Sequence, residues 1–155
     1  MKTTTSRIAE HPFLSSFSRE HIGLILEHAV EVQFERGEVI FKENDPANRF
    51  FLIEYGKVAL ETRLPHDGDI VVQTLSGGDV LGWSWLFPPF AWHFQARALE
   101  PTNAIIIDGA HLLGLCERNH DLGFELMKRM AQVVIQRLQA TRRQWIYREG
   151  ASTAA

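Results

Sequence analysis

The segment from residue 80 to residue 96 contains no Lys, Arg, Asp or Glu, and it holds three of the four Trp residues of the chain. Six of the thirteen residues from Gly82 to Phe94 are aromatic. Such a surface suits stacking and apolar contact rather than acid–base chemistry. We therefore predict that the segment binds a small apolar or aromatic ligand, or a protein partner, through Gly82, Trp83, Ser84, Trp85, Leu86, Trp92, His93 and Phe94.

The same aromatic residues allow two structural interpretations. In the first, they line an open pocket, to which Phe87 and Phe90 also contribute and which Pro88-Pro89 stiffens. In the second, they fill the cavity, and the protein then acts through its surface, as a protein-interaction module. The sequence leaves both interpretations open.

Catalytic and metal-binding chemistry has little support in the sequence. The seven His residues lie at positions 11, 21, 28, 66, 93, 111 and 120, with no His-x-His pair of the kind that a metal site on one strand would use. The single Cys116 has apolar neighbours and is predicted to pack rather than react. We predict that the protein is not an enzyme and has neither a metal nor a cofactor.

Composition places the chain among ordinary globular proteins. It has 155 residues, 45% of them hydrophobic, which suggests one domain over residues 1–155 with a substantial core. The net charge of −3 argues against electrostatic binding to nucleic acid. No signal peptide or membrane-spanning run is visible, so we expect a soluble cytoplasmic protein with no direct DNA or membrane binding.

The elements that must position the aromatic segment follow from hydrophobic spacing. Ser18 is a predicted N-cap, and a helix is expected from there to about His28. From Val30 to about Asp108, short apolar runs alternate with Gly-centred turns, which predicts an all-β barrel or jelly roll. The fold class is therefore mainly β with flanking helices.

After Asp108 the helical period returns. We predict a short helix from Ala110 to Arg118 and a long one from an N-cap at Asp121 to about Tyr147, so that C-terminal helices occupy about residues 109–147. The long helix has two apolar faces, and one of them is expected to cover the barrel. The other is a predicted homodimer interface, unless both faces pack on the same domain; its residues are Met127, Val134, Leu138, Thr141 and Trp145.

Three motifs in sequence order resemble a known family. Arg36 to Ala47 looks like the segment x-G-E-x-I-x-x-E-G-D-x-x, Phe51 to Val58 looks like y-x-I-x-x-G-x-v, and Gly78 to Gly82 looks like the strand that opens a phosphate-binding cassette. Over roughly residues 13 to 147 the chain resembles the cyclic-nucleotide-binding domain of the Crp/Fnr family. The resemblance implies a regulatory role in signal transduction and an eight-stranded jelly-roll barrel (double-stranded β-helix), the architecture of cupins.

The chain departs from the family at the cassette. The family places a Glu for the ribose after the glycine that matches Gly82, and Trp83 stands there instead. The Arg that pairs with the cyclic phosphate falls on Trp92 or His93, and Arg97 comes too late in the strand. The long-helix Thr that contacts the base in the family matches Thr141. The family's helix-turn-helix segment has no counterpart in this sequence.

These departures predict a stand-alone regulatory or sensory module with a non-standard cassette. We expect it to bind a small apolar or aromatic ligand, or a protein effector, rather than cyclic AMP by the usual contacts. The alternative is a cyclic or other nucleotide bound through a rewired, Trp-rich cassette, with Ser84 and the backbone amides near Gly82 holding a phosphate.

Overall fold

The computed structural model of the chain describes residues 4–66 and 68–153, apart from the side chains of residues 4–6, 145 and 147–153. Within these ranges it contains eight strands and four α-helices. The strands are β1 (Val30–Phe34), β2 (Val39–Phe41), β3 (Arg49–Tyr55), β4 (Lys57–Leu64), β5 (Gly68–Ser76), β6 (Val80–Leu81), β7 (Gln95–Ala98) and β8 (Thr102–Asp108). The helices are α1 (Thr4–Ala9), α2 (Arg19–Ile25), α3 (Gly109–Arg118) and α4 (His120–Thr153), with 3-10 turns at Pro12–Leu14 and Ser84–Leu86.

The strands pair antiparallel in two four-stranded sheets, in the spatial orders β1-β8-β3-β6 and β2-β7-β4-β5. The predicted mainly β fold of eight strands with C-terminal helices is thereby confirmed. Because β6 belongs to the first sheet and β7 to the second, the Trp-rich segment between them is the connection from one sheet to the other.

Strand β3 is buried on both of its faces. Phe51 and Ile53 lie in the core shared by the two sheets, whereas Phe50 and Leu52 pack in a second core beneath the helices. Successive side chains of a strand point to opposite faces, so one apolar run supplies both cores. Full burial of each Phe contributes about 1.5–3 kcal/mol, which makes this strand a major source of stability.

The N-terminal residues form helical structure that the sequence analysis did not predict. Ile8, Phe13 and Leu14 are buried in the core beneath the helices. The buried His11 fixes this segment to the first sheet: its Nε2 lies 2.9 Å from the Ile53 carbonyl oxygen, and its Nδ1 accepts a hydrogen bond from the Phe13 N–H. These contacts require a neutral ring with the proton on Nε2.

The observed ends of helices α2 and α4 differ from the predicted ones. Ser18 does cap α2, accepting a hydrogen bond from the His21 N–H, but α2 ends at Ile25 rather than near His28, whose φ of 67° is left-handed. Asp121 is not the cap of α4, because Asn119 Oδ1 accepts the Leu122 N–H at 3.1 Å. Helix α4 also continues past Tyr147 to Thr153.

The two faces of α4 have different environments. Leu122, Leu126 and Met130 are buried against the domain, as predicted for the first face. The second face remains exposed at Val134 and Leu138. Among the helices within the described ranges, none combines the length and hydropathy needed to cross a membrane.

Acidification is expected to destabilise the protein through His11. Burial lowers the pKa of His11 below its ordinary value of 6.5. As pH falls below that value, the unfolded chain takes up the proton before the folded chain does, so stability present at neutral pH is progressively lost. Urea denaturation from about pH 8 down to about pH 5 measures this decline.

The His11→Gln variant should be less stable at neutral pH by about 1–3 kcal/mol, because buried hydrogen-bond partners lose their match, and its stability should depend less on pH. The exposed His66→Gln variant is the control, and its free energy of unfolding should depend on pH as that of wild type does. If the free energy of unfolding fell equally with pH in wild type and in His11→Gln, groups other than His11 would cause the acid sensitivity.

Candidate ligand-binding cavity

A cavity of about 230 Å³ lies between the second sheet, the Trp-rich connection and helix α4. Most of its wall is apolar, and its polar groups are few. The lining residues are Phe41, Leu60, Val72, Gln73, Leu81, Gly82, Trp83, Ser84, Trp92, His93, Phe94, Val134, Arg137, Leu138 and Thr141. The described lining contains no Asp or Glu.

Trp92 forms the inner wall. Its side chain is only 3% exposed, and its ring stacks on Phe41 with centroids 3.9 Å apart and planes 10° from parallel. The ring also packs against Phe51 of the core between the sheets. Trp92 therefore fills the inner part of the space between the sheets, and the cavity is what remains outside it.

Gly82 permits this placement of Trp92. Its φ is +88°, in the left-handed region that glycine adopts readily. A Cβ at this position would lie 2.6 Å from Trp92 Cζ3 and 2.7 Å from Cη2, closer than atoms can approach. The glycine that opens the cassette is thus also the residue that makes room for the ring.

Trp83 and Arg137 form the cavity's charged wall. The guanidinium carbon of Arg137, on α4, lies 4.5 Å from the centroid of the Trp83 ring, a cation–π contact. Its Nη2 donates a hydrogen bond to the Val80 carbonyl oxygen. Burial lowers the pKa of Arg137 to about 10, although the charge of Asp79 acts in the opposite direction. Arg137 remains a cation at neutral pH.

Arg137 is the residue that sequence reasoning missed as a part of this wall. It lies one helical turn before the predicted cavity residue Thr141, and Thr141 Oγ1 donates a hydrogen bond to the Arg137 carbonyl oxygen at 3.0 Å. Residues four apart share a helix face, so the prediction of Thr141 was the signal that could have identified Arg137.

Seven of the nine predicted ligand-binding residues line the cavity. They are Gly82, Trp83, Ser84, Trp92, His93, Phe94 and Thr141. Arg97 lies outside it, as expected, because its Nε donates to Glu61 Oε1 at 3.0 Å and its Nη1 to the Gly37 carbonyl oxygen.

Trp85 and Leu86, the other two predicted ligand-binding residues, lie outside the cavity lining. The 3-10 turn directs Trp85 into the core beneath the helices, where it is 2% exposed and meets Phe50 edge-on at 5.7 Å. Its Nε1 donates to the Gly82 carbonyl oxygen at 2.8 Å, and Leu86 packs against the same core. Phe87 and Phe90 also lie outside the cavity lining, and both are exposed.

The predicted dimer face runs past the mouth of the cavity. Val134, Leu138 and Thr141 both line the cavity and stay exposed on α4, while Met127 lies farther along the exposed face. The backbone of Trp145 is helical, but its side chain lies outside the described residues. Across the part of the chain that the structure describes, no three His, Cys, Asp or Glu side chains converge as a metal site would require.

Comparisons with known proteins agree on one family. Residues 31–119 match the family model described as the cyclic nucleotide-binding domain. A crystal structure of a "Putative Cyclic nucleotide-binding protein" from Geobacter metallireducens GS-15 has a TM-score of 0.78 and 31% sequence identity, over 88% of this chain and 99% of that one.

Two curated relatives are larger proteins. The "Putative potassium channel protein RPA4233" of Rhodopseudomonas palustris is 28% identical over 113 residues, which cover 73% of this chain and 27% of that protein. The "CRP-like cAMP-activated global transcriptional regulator" of Mycobacterium tuberculosis is 24% identical over 101 residues, which cover 65% of this chain and 45% of that protein. The chain thus matches less than half the length of either relative.

Replacing Trp85 should test its assignment to the core. We expect Trp85→Ala to lower the free energy of unfolding by about 3–5 kcal/mol, because it leaves a large cavity. Phe87→Ala removes a nearby side chain that is 64% exposed and should change stability by about 0.5 kcal/mol or less. Urea denaturation of both variants provides the comparison. Equal effects would contradict the assignment.

Proposed function

The chain belongs to the cyclic nucleotide-binding domain family, and from that membership we propose that it is a regulatory module whose cavity binds a small apolar or aromatic ligand. The observation that carries this proposal is the wall of the cavity. Trp83, Trp92 and Phe94 supply ring surface, and Leu60, Leu81 and Leu138 supply aliphatic surface. A mostly apolar pocket with a few polar groups is typical of small-molecule sites.

The volume sets the size of the ligand. A cavity of about 150 Å³ lined by apolar side chains is enough to bind benzene, and ligand pockets for drug-sized molecules span roughly 300–1,000 Å³. The present cavity, at about 230 Å³, lies between them. It therefore suits a molecule of one or two rings better than a complete nucleotide, since Trp92 already occupies the inner space.

The usual cyclic AMP contacts have no counterparts in the connection. Trp83 stands at the family's ribose-binding Glu, and Trp92 or His93 stands at its phosphate-binding Arg. The connection itself therefore supplies neither the carboxylate for the ribose nor the cation for the phosphate, and the cation of the cavity comes from α4 instead. These positions support a ligand other than cyclic AMP bound in the usual way.

A nucleotide held by a rewired cassette is the second candidate. The observation that favours it is the guanidinium of Arg137 beside the Trp83 ring, since a phosphate can pair with the cation while a base stacks on an indole. Ser84 would add a hydroxyl group from the same wall.

We also propose that α4 joins two copies of the chain. Residues 127, 131, 134, 138, 141 and 145 follow the alternating spacing of four and three that builds a coiled-coil seam. Met127, Val134 and Leu138 on this face are exposed. Val134 and Leu138 also line the cavity, so a bound ligand would contact side chains that pack in the seam. Ligand binding could thereby change the contact with the partner chain or with a protein effector.

Three finer features belong to the same proposal. The two sheets would close as the jelly-roll barrel that the resemblance implies. The module would be cytoplasmic and would act by binding rather than by catalysis. Support for the last point comes from the names of the relatives, which are a channel and a transcriptional regulator.

Small aromatic compounds should stabilise the protein through this cavity. We expect compounds of one or two rings to raise the melting temperature, because a ligand that binds only the folded state stabilises it by mass action. Val134→Trp should abolish the effect by filling the mouth, while Ile135→Trp on the adjacent, exposed position outside the lining should retain it. Thermal-shift measurements with aromatic compounds, cyclic AMP and cyclic GMP test this expectation.

Saturable stabilisation by a cyclic nucleotide alone would reject the apolar ligand and favour the second candidate. Stabilisation that Val134→Trp does not affect would place the compound outside the cavity. If neither class of compound binds wild type, the small-ligand proposal fails.

The dimer makes a separate prediction. Leu138→Glu, on the proposed seam, should convert a dimer to a monomer because it places a charge against the partner helix. Ile146→Glu is the matched control, since Ile146 is 58% exposed on α4 and lies off the four-three spacing, directly after position 145. Sedimentation velocity measures both, and a monomeric wild type would refute the interface.

A further inference from the structure

The charge of Arg137 is not compensated by an acidic partner among the described side chains. The ion pairs of the described residues join Arg7 to Glu31 and Glu54, His28 to Glu27, and Arg97 to Glu61. Burial lowers the pKa of Arg137 and the charge of Asp79 acts to raise it, but no ion pair joins Asp79 to Arg137 among the described residues. Asp79 Oδ2 accepts the Ser76 N–H at 2.8 Å in the turn before β6. A cation that is largely removed from water normally has a partner of opposite charge.

The donors of Arg137 are also mostly unused. A guanidinium group has five N–H donors in a planar fork. Within the described ranges, Nη2 donates to the Val80 carbonyl oxygen, and neither Nε nor Nη1 has a protein acceptor. Neither atom is among the fully enclosed, unsatisfied polar atoms of the described residues, and Arg137 lines the cavity.

On the side of the cavity, the surroundings of this cation are aromatic and aliphatic, whereas on its other side Arg137 lines a more polar cleft with Asp79, Gln136 and Arg129. Trp83 covers one side of the guanidinium, and Leu138 and Val134 lie on either side of Arg137 along the same helix. The ligand that complements the wall must therefore present apolar ring surface and one acceptor-rich anionic group.

We propose that the cavity binds an aromatic carboxylate, whose rings pack against Trp83, Trp92 and Phe94 and whose carboxylate pairs with Arg137. This inference rests on the proposed function, because it names the class of ligand for the same cavity. Arg137 is then the specificity-determining residue that distinguishes an acid from the neutral compound of the same shape.

A carboxylate fits this site better than a phosphate does. The planar fork of an Arg matches the two oxygens of a carboxylate. A phosphate monoester has three acceptor oxygens and up to two charges, and Arg137 is the only Arg or Lys side chain of the described lining. The phosphodiester of a cyclic nucleotide has two free oxygens and one charge, so for that ligand the size of the cavity makes the distinction. The limited volume outside Trp92 also favours a ring acid over a base, a ribose and a phosphate together.

The test compares an acid with its uncharged amide. Isothermal titration calorimetry at neutral pH with 2-naphthoate and 2-naphthamide separates the charge of the ligand from its ring system. We expect wild type to bind the acid about tenfold to a hundredfold more tightly, as for hydrogen bonds to a charged group. Arg137→Gln should lose this preference while it keeps its affinity for the amide, and Arg137→Lys should recover part of it.

Arg142→Gln is the matched control, because it removes the same charge from the same helix at an exposed position outside the cavity lining. It should retain the preference for the acid. Equal binding of acid and amide by wild type would overturn the carboxylate assignment and leave the apolar ligand site intact. Binding of neither compound would reject both, and tight binding of cyclic AMP in place of the acid would assign the Arg137 donors to a phosphate.

Discussion

Burial of β3 on both faces is the constraint from which the rest of the structure follows. Phe51 and Ile53 hold the two sheets together, and Phe50 and Leu52 hold the helical layer against the first sheet. Since the same strand serves both cores, helix α4 is positioned relative to the sheets, and Arg137 meets the connection that joins them. The cavity is therefore formed by three elements, which are the second sheet, the Trp-rich connection and helix α4.

The three Trp residues of the connection have three different roles. Trp85 is a core residue beneath the helices, Trp92 fills the space between the sheets, and Trp83 faces the cavity with Arg137 over its ring. This segment, which has no Lys, Arg, Asp or Glu, thus contributes side chains to both cores. The cation that a charged ligand would need enters from α4, which is distant in sequence.

The sequence predicted the fold well because its signals are local. Alternation from Val30 to Phe34, Gly-centred turns and the cap at Ser18 each depend on a few neighbouring residues. The site was predicted less completely, since the direction of a side chain in a 3-10 turn and the reach of a distant helix depend on tertiary packing. Trp85 and Arg137 are the two residues for which packing decided the outcome.

The contact between Gly82 and Trp92 also limits the order in which this site can change during evolution. Any side chain at residue 82 would collide with the Trp92 ring, and the left-handed φ of +88° would strain it even beside a smaller residue 92. A smaller residue 92 can appear while Gly82 is kept, and it enlarges the space between the sheets. Change in the size of the ligand is therefore expected to begin at residue 92, with residue 82 held as Gly.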